Sequence, residues 1–288
     1  MKKKFSVALS TQKHDVLTKH LLRNPGNEDL CFALWKPSEG HTRYTGLITE
    51  IVLPLAGDRN LHVNASFNPK YFERVLRMAA EKDAGIIFLH SHLTPGWQGM
   101  SFDDVQAELQ MAGSVFAVTS LPLIGMTVGT DGAWSARRWD KTASRKFDPT
   151  WAVSVRTVGD ILNATFYDKL MPRPKFKEDF ARTLSAWGDE AQARLMRLHV
   201  VVVGVGSVGS VVAEALAMMG VQRITLIDFD IFKKINRDRS VGVTKNDLGK
   251  SKVSVIASHL EKVATADDFQ VKTVDYSIVE LEGFLAAL

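Results

Sequence analysis

Four consecutive valines, Val200 to Val203, run directly into Gly204-Val205-Gly206-Ser207-Val208-Gly209. This constrains the second half of the chain to a βαβ unit. A β-branched run without polar alternation fits a parallel strand buried on both faces. The glycines let backbone N–H groups approach an anion at a helix N-terminus. A helix is predicted from about Ser210 to Met219, closed by Gly220, and the next strand is Arg223–Ile227, ending at Asp228. An acidic residue there sits where a ribose hydroxyl would bind. These residues alone specify a nucleotide, and a plain NAD-binding reading fits them too. The apolar stretch 200–221 has the length of a membrane span. Glu214 and the glycines interrupt it, however, and the βαβ reading accounts for each break, so no membrane segment is expected.

A second constellation lies upstream. His90-Ser91-His92 follows the apolar run Ala84–Leu89, and Ser101-Phe102-Asp103-Asp104 comes next. Residues i and i+2 of a strand share a face, so the two imidazoles leave the strand end side by side. Asp104 arrives from the start of a helix. Two histidines, one aspartate and an open fourth position suit a catalytic zinc site. The Ser-x-x-Asp segment also reads as a capping box, and both readings can hold at once because the cap places Asp104 on the first helical turn. Asp103 is the rival ligand, and spacing favours Asp104. Further upstream, Glu28 opens a strand-like run, Asp29–Trp35.

Glu28, His90-x-His92 and Ser101-x-x-Asp104 together resemble the signature of the JAB/JAMM metallopeptidases. The resemblance implies an α+β domain in which His90, His92 and Asp104 hold Zn2+. It also implies that Glu28 takes a proton from the nucleophilic water and that Ser101 steadies the oxyanion. In the second half, Asp228-Phe229-Asp230, Asn236-Arg237-Asp238-Arg239 and Gly249-Lys250-Ser251-Lys252 resemble the Asp-x-Asp, Asn-x-x-Arg and Gly-x-x-Lys pattern of the ThiF/MoeB/HesA family, which is shared with ubiquitin-activating enzymes. That resemblance implies ATP with Mg2+ as cofactor. Gly204, Gly206 and Gly209 would lie against the phosphates, Asp228 would take the ribose, Asn236 and Arg239 the phosphates, and Lys252 the α-phosphate region. Charge building on phosphate oxygens during carboxylate attack is what Arg and Lys stabilise. Arg182 matches an arginine that reaches the partner subunit's ATP, which leaves a homodimer through this domain open. The family's sheet has more strands than the three visible here, so the adenylating domain is expected to be incomplete at its C-terminus and the chain to be truncated.

A length of 288 residues suits two domains. The expected boundaries are 1–145 for the JAB/JAMM-like domain, 146–178 for a linker containing Met171-Pro172-Arg173-Pro174, and 179–288 for the ThiF-like domain. The expected fold class is α/β: an N-terminal α+β domain (mixed sheet with flanking helices) followed by a partial Rossmann-like parallel domain. Expected elements of the first domain are a helix around Val16–Leu22, strands at 29–35, 45–53 and 59–66, and a helix capped by Asn68 with Pro69 first in it. A helix at 102–112 and strands near 115–119, 122–129 and 132–139 complete it. The net charge of +4, without a dense basic block, gives no basis for nucleic-acid binding. Met1-Lys2-Lys3-Lys4 precedes too short an apolar run for a signal peptide. Cys31 is the single cysteine, so a reducing cytoplasm is the expected setting, with Cys31 as a buried small hydrophobe. The combined expectation is a zinc isopeptidase for the tail of a ubiquitin-like or small sulfur-carrier-like protein, fused to an adenylating domain. The alternatives are an inactive scaffold binding such a partner and a nucleotide-dependent oxidoreductase.

Overall fold

The computed structural model describes residues 3–288 except 25, 62–64 and 161. Met1 and Lys2 of the N-terminal stretch, and 62–64 of the strand expected at 59–66, lie outside the described residues. The chain divides into two compact units, residues 1–39 with 43–170 and residues 40–42 with 171–288.

The first unit runs β1 (Lys4–Ser10), α1 (Thr11–Leu21), β2 (Leu30–Glu39), β3 (Arg43–Val52), β4 (Arg59–Leu61), β5 (Ala65–Phe67), α2 (Pro69–Glu81), β6 (Gly85–Ser91) and α3 (Phe102–Thr119). It continues with β7 (Ile124–Val128), β8 (Trp134–Ala143), β9 (Lys146–Trp151), β10 (Ser154–Val158) and β11 (Asn163–Phe166). Nine strands form one mixed sheet in the order β11-β10-β1-β3-β2-β6-β7-β8-β9, and β4 pairs with β5 apart from it. All seven residues of β6 are buried, because it pairs antiparallel with β2 and parallel with β7 and has a core on each face. The period of two divides its side chains. Ile87 and Leu89 join Leu17 and Leu21 of α1 on one side. Ile86 and Phe88 join Tyr71, Val75 and Ala79 of α2 and Met111, Ala112 and Val115 of α3 on the other. His90 continues the Ile86–Phe88 face, and its ring lies 5.5 Å from that of Phe88. The strand thus aims His90 at the side of the sheet that carries α3.

Three expectations for this unit need correction. Residues 115–119, expected as a strand, are the last turns of α3. Burying Met111, Ala112 and Val115 on one helical face outweighs the β propensity of Val115, Val118 and Thr119. Residues 146–166, read as linker, carry β9, β10 and β11 of the large sheet. Pro149 and the charged residues of β9 hid its pattern; it is the terminal strand, and Pro149 is tolerated there. β1 was also not expected. It pairs parallel with both β3 and β10.

The second unit contains α4 (Ala181–Arg197), β12 (His199–Val203), α5 (Ser207–Met218), β13 (Arg223–Ile227), α6 (Lys252–Val263), β14 (Gln270–Val274) and α7 (Leu281–Ala287). Its three strands are parallel in the order β12-β13-β14. Val205, Ala213, Ala217, Ile224, Leu226, Val253, Ile256 and Leu260 are buried in its core. Among the described residues no helix is long and apolar enough to cross a membrane.

Candidate functional site

In the first unit β6 ends at Ser91, and the backbone stays close to β7 for one more residue because His92 N donates to Val128 O at 2.9 Å. After eight intervening residues, Ser101 caps α3. Its Oγ accepts from Asp104 N at 3.1 Å, while Asp104 Oδ2 accepts from Ser101 N at 2.7 Å. This reciprocal box fixes the first turn and turns Asp104 toward the histidines. His90 Nε2 and His92 Nε2 are 3.2 Å apart. His90 Nε2 lies 3.2 Å from Asp104 Oδ1, and His92 Nε2 lies 3.3 Å from Asp104 Oδ2. One ligand atom from each of the three residues falls within 4.8 Å of the others. Asp103, the rival ligand, is exposed. Capping and convergence therefore coexist at Asp104.

Glu28 is half-buried beside this cluster. Burial pushes its carboxyl above the usual range; the charges of His90 and His92 oppose that shift and Asp104 adds to it. The backbone after it is anchored to the histidine strand. Asp29 N donates to Ser91 Oγ at 2.9 Å, and Ser91 N donates to Asp29 O at 3.0 Å. The buried Asp29 carboxylate accepts from Leu30 N at 2.7 Å and pairs with Arg59 and Arg23. Burial acts to raise the pKa of Asp104, but hydrogen bonds from both imidazoles outweigh it and hold the carboxyl far below its ordinary value. The hydrogen bond with Asp104 raises the pKa of His92.

Two features near this cluster carried no signal in the sequence. Gln98 Oε1 lies 3.3 Å from His92 Nδ1. Beneath His90, the fully buried Arg137 donates through Nε to Glu108 Oε2 at 3.0 Å, pairs with the other Glu108 oxygen through Nη2, and donates through Nη1 to Thr127 Oγ1 at 2.6 Å. Thr127 Oγ1 is in turn 3.4 Å from His90 Nε2. An isolated Glu in a helix and an isolated Arg in a strand do not announce each other. The packing of α3 over β7 and β8, with Glu108 against Gly125 beside Arg137, brings them together.

In the second unit β12 passes into the glycine turn at Gly204, whose φ of +82° favours glycine. Gly206 is the N-cap of α5, and a Cβ on Gly209 would collide with the carbonyl oxygen of Gly204. Asp228, at the end of β13, holds the turn: Oδ2 accepts from Val205 N at 2.8 Å, and Oδ1 accepts from Asp230 N at 2.9 Å. Lys252 opens α6 and pairs with Asp230 Oδ2 at 2.6 Å. Asn236 and Arg239 share one turn. Asn236 Oδ1 accepts from Lys233 N at 2.9 Å, and Arg239 Nη1 donates to Ile235 O at 2.8 Å. Arg182 is exposed on the first turn of α4.

The ThiF family model matches residues 180–284, within the second unit. The tRNA threonylcarbamoyladenosine dehydratase of Escherichia coli K12 is 33% identical over 117 residues, covering 36% of this chain and 44% of the relative. Ubiquitin-like modifier-activating enzyme 5 of Drosophila melanogaster is 35% identical over 91 residues, covering 32% of this chain and 22% of the relative. A crystal structure of the E. coli dehydratase in complex with ATP aligns at 33% identity and a TM-score of 0.33, covering 35% of this chain and 40% of that one. The chain spans less than half the length of these curated relatives. The strand–glycine turn–helix, the acidic end of β13 and this match agree: residues 180–284 form a ThiF-family, adenylyltransferase-like domain.

Proposed function

We propose that the first unit is a zinc-dependent isopeptidase acting at the C-terminal tail of a ubiquitin-like or small sulfur-carrier-like protein, and that the second is an ATP-dependent domain that adenylates such a tail. The observation that carries the first half is the convergence of His90, His92 and Asp104 with Glu28 beside them. Ligand atoms around a tetrahedral zinc with bonds of 2.0–2.1 Å are about 3.3 Å apart. The 3.2 Å between the two imidazole nitrogens matches that spacing, and each nitrogen has one Asp104 oxygen at 3.2 or 3.3 Å, Oδ1 for His90 and Oδ2 for His92. Three protein ligands with a fourth position free is the pattern of catalytic rather than structural zinc sites. A bound zinc would supply Lewis acidity and bring the pKa of its water to about 7.

The chain's own residues supply the rest. Glu28, whose proton affinity is raised by burial, is suited to take a proton from the attacking water and return it to the leaving amine. The Ser101 Oγ accepts from Asp104 N, which leaves its O–H to donate to a developing oxyanion. In the second unit the Gly204–Gly209 turn, Lys252, Asn236 and Arg239 would meet the phosphates of ATP with Mg2+, and Asp228 the ribose. Support for ATP comes from the family match and from the dehydratase crystallised with it. Support for a ubiquitin-like tail comes from the relative named as a modifier-activating enzyme and from the economy of two units sharing one extended substrate. A single, buried cysteine suits a reducing cytoplasm.

The test is elemental analysis and tail cleavage on the purified chain. About one equivalent of zinc is expected, lost in His92→Ala with the circular dichroism spectrum retained. Cleavage of a ubiquitin-like protein fused at its tail should follow the zinc. A wild-type chain that takes up no metal when zinc is supplied would refute the first half of the reading. ATP–pyrophosphate exchange with the same protein tests the second.

A further inference from the structure

Glu214 is the only charged residue in the apolar stretch 200–221, and the nucleotide reading of that stretch gives it no part. It lies on α5 one turn after Ser210, on the same side of the helix. Each of the two meets the chain that returns from β13. The buried Ser210 accepts through Oγ from Val241 N at 3.5 Å. Glu214 Oε1 lies 2.9 Å from His259 Nε2 on α6. A carboxylate oxygen accepts, so the imidazole donates. Gly242 sits against this ring. Its φ of +69° is in the left-handed region that favours glycine, and a Cβ there would collide with Cγ, Nδ1 and Cδ2 of His259. The ring therefore occupies the space that a side chain at 242 would need.

These contacts hold the returning segment at its far end. Its near end is held by Asp228, which accepts from Val205 N inside the glycine turn. Asn236 and Arg239 lie between the two, and Arg239 N donates to Asn236 O at 3.4 Å. Ser210 N donates to Gly206 O at 3.0 Å, so Val241 is tied to the first turn of α5, directly after the glycines. Both ends of the segment are thus fastened beside the glycine turn. We propose that His259, held by Glu214, is the positioning residue of this segment: its ring seats Gly242 and so keeps Asn236 and Arg239 in place relative to the glycine turn. The consequence for ATP rests on the nucleotide reading above, whereas the seat does not. A segment already ordered loses less freedom on binding, so unseating two phosphate-contacting side chains should weaken ATP binding about 10-fold.

The experiment uses the full chain. Amide hydrogen exchange in the ligand-free protein reads the order of residues 236–242, and titration calorimetry reads affinity for ATP with Mg2+ and for adenosine. His259→Ala, which removes the ring, and Glu214→Leu, which releases it, should both speed exchange at 236–242 and leave β12 and β13 at wild-type rates. His259→Ala should bind ATP about 10-fold more weakly and adenosine as the wild type does, because Asn236 and Arg239 are read as phosphate contacts. Wild-type exchange at 236–242 in either variant overturns the proposal, whether or not ATP binds. So does wild-type ATP affinity in His259→Ala, and so does an equal loss of ATP and adenosine, which marks a general loosening of the fold. If the wild type binds no ATP yet both variants exchange faster only at 236–242, the nucleotide reading fails and the seat stands. Should His259→Ala not fold, Gly242→Ala, which pushes the segment off the ring instead of removing the ring, takes its place in both measurements.

Discussion

Arg137→Met tests whether the buried pair beneath His90 holds the first unit together. Glu108 and Arg137 are both fully buried. The Glu108 carboxylate receives Arg137 through both of its oxygens and also accepts from Trp139 Nε1 at 2.6 Å. Removing the guanidinium leaves a buried carboxylate with one neutral donor. Breaking one side of a buried pair typically costs about 3–5 kcal/mol. Loss of the donor to Thr127 Oγ1 adds about 1 kcal/mol. The sum is about three to four orders of magnitude in the ratio of folded to unfolded first unit. Glu108→Leu combined with Arg137→Met removes both charges, so the double variant should be more stable than Arg137→Met alone, because the uncompensated charge is gone. Urea unfolding of the full chain, followed by tryptophan fluorescence, measures both. If Arg137→Met costs less than about 1 kcal/mol, or if the double variant is the less stable of the two, the pair is not acting as a desolvated ion pair and the reasoning fails.

Glu28→Gln should retain zinc yet lose about 10²- to 10⁴-fold in tail hydrolysis; wild-type turnover by this variant would assign the base elsewhere. Gly209→Ala pushes a methyl group into the Gly204 carbonyl. An overpacking penalty of about 1–3 kcal/mol should weaken ATP binding about 10- to 100-fold by titration calorimetry while leaving zinc content unchanged. In the metal-free protein, the stability of the first unit should be greatest on the acid side of neutrality. The folded pKa of Asp104 lies below its reference of 3.8, so its contribution is present above that value and is lost as pH falls through the folded one. The folded pKa of His92 lies above its reference of 6.5, so its contribution is full below 6.5 and is lost as pH rises through the raised value. Thermal melting from about pH 4 to about pH 9 checks this, and an alkaline limb equally steep in His92→Ala would contradict it.

The βαβ unit of the second half was legible because Val200–Val203 and the glycine turn each admit few conformations, and β12, the turn and β13 fall where they were read. The sequence also indicated that His90, His92 and Asp104 could meet, since strand alternation and a helix cap are local rules. What was not legible depends on distant partners. β9 to β11 have mixed patterns because their residues are sorted by neighbouring strands rather than by a single apolar face. Residues 115–119 look like a strand by propensity and become helix by packing against the sheet. Gln98 is one glutamine in a polar loop. Its placement beside His92 emerges only when three carbonyls close around one end of its amide.

Asp104 is both a capping residue of α3 and a member of the histidine cluster, because one carboxylate accepts from Ser101 N and faces two imidazoles. Asp104→Ala therefore removes two things together, and a loss of metal in that variant would not by itself identify a ligand. Ser101→Ala separates them, since it deletes the hydroxyl cap and keeps the carboxylate. On the zinc reading proposed above, the sharing also ties metal retention to local fraying. Helix ends open far more readily than whole domains unfold, and every opening of the first turn of α3 swings Asp104 away from His90 and His92. Metal exchange should then follow the rate at which the amides of 102–104 exchange with solvent, and mild denaturant should release the ion well before the nine-stranded sheet gives way.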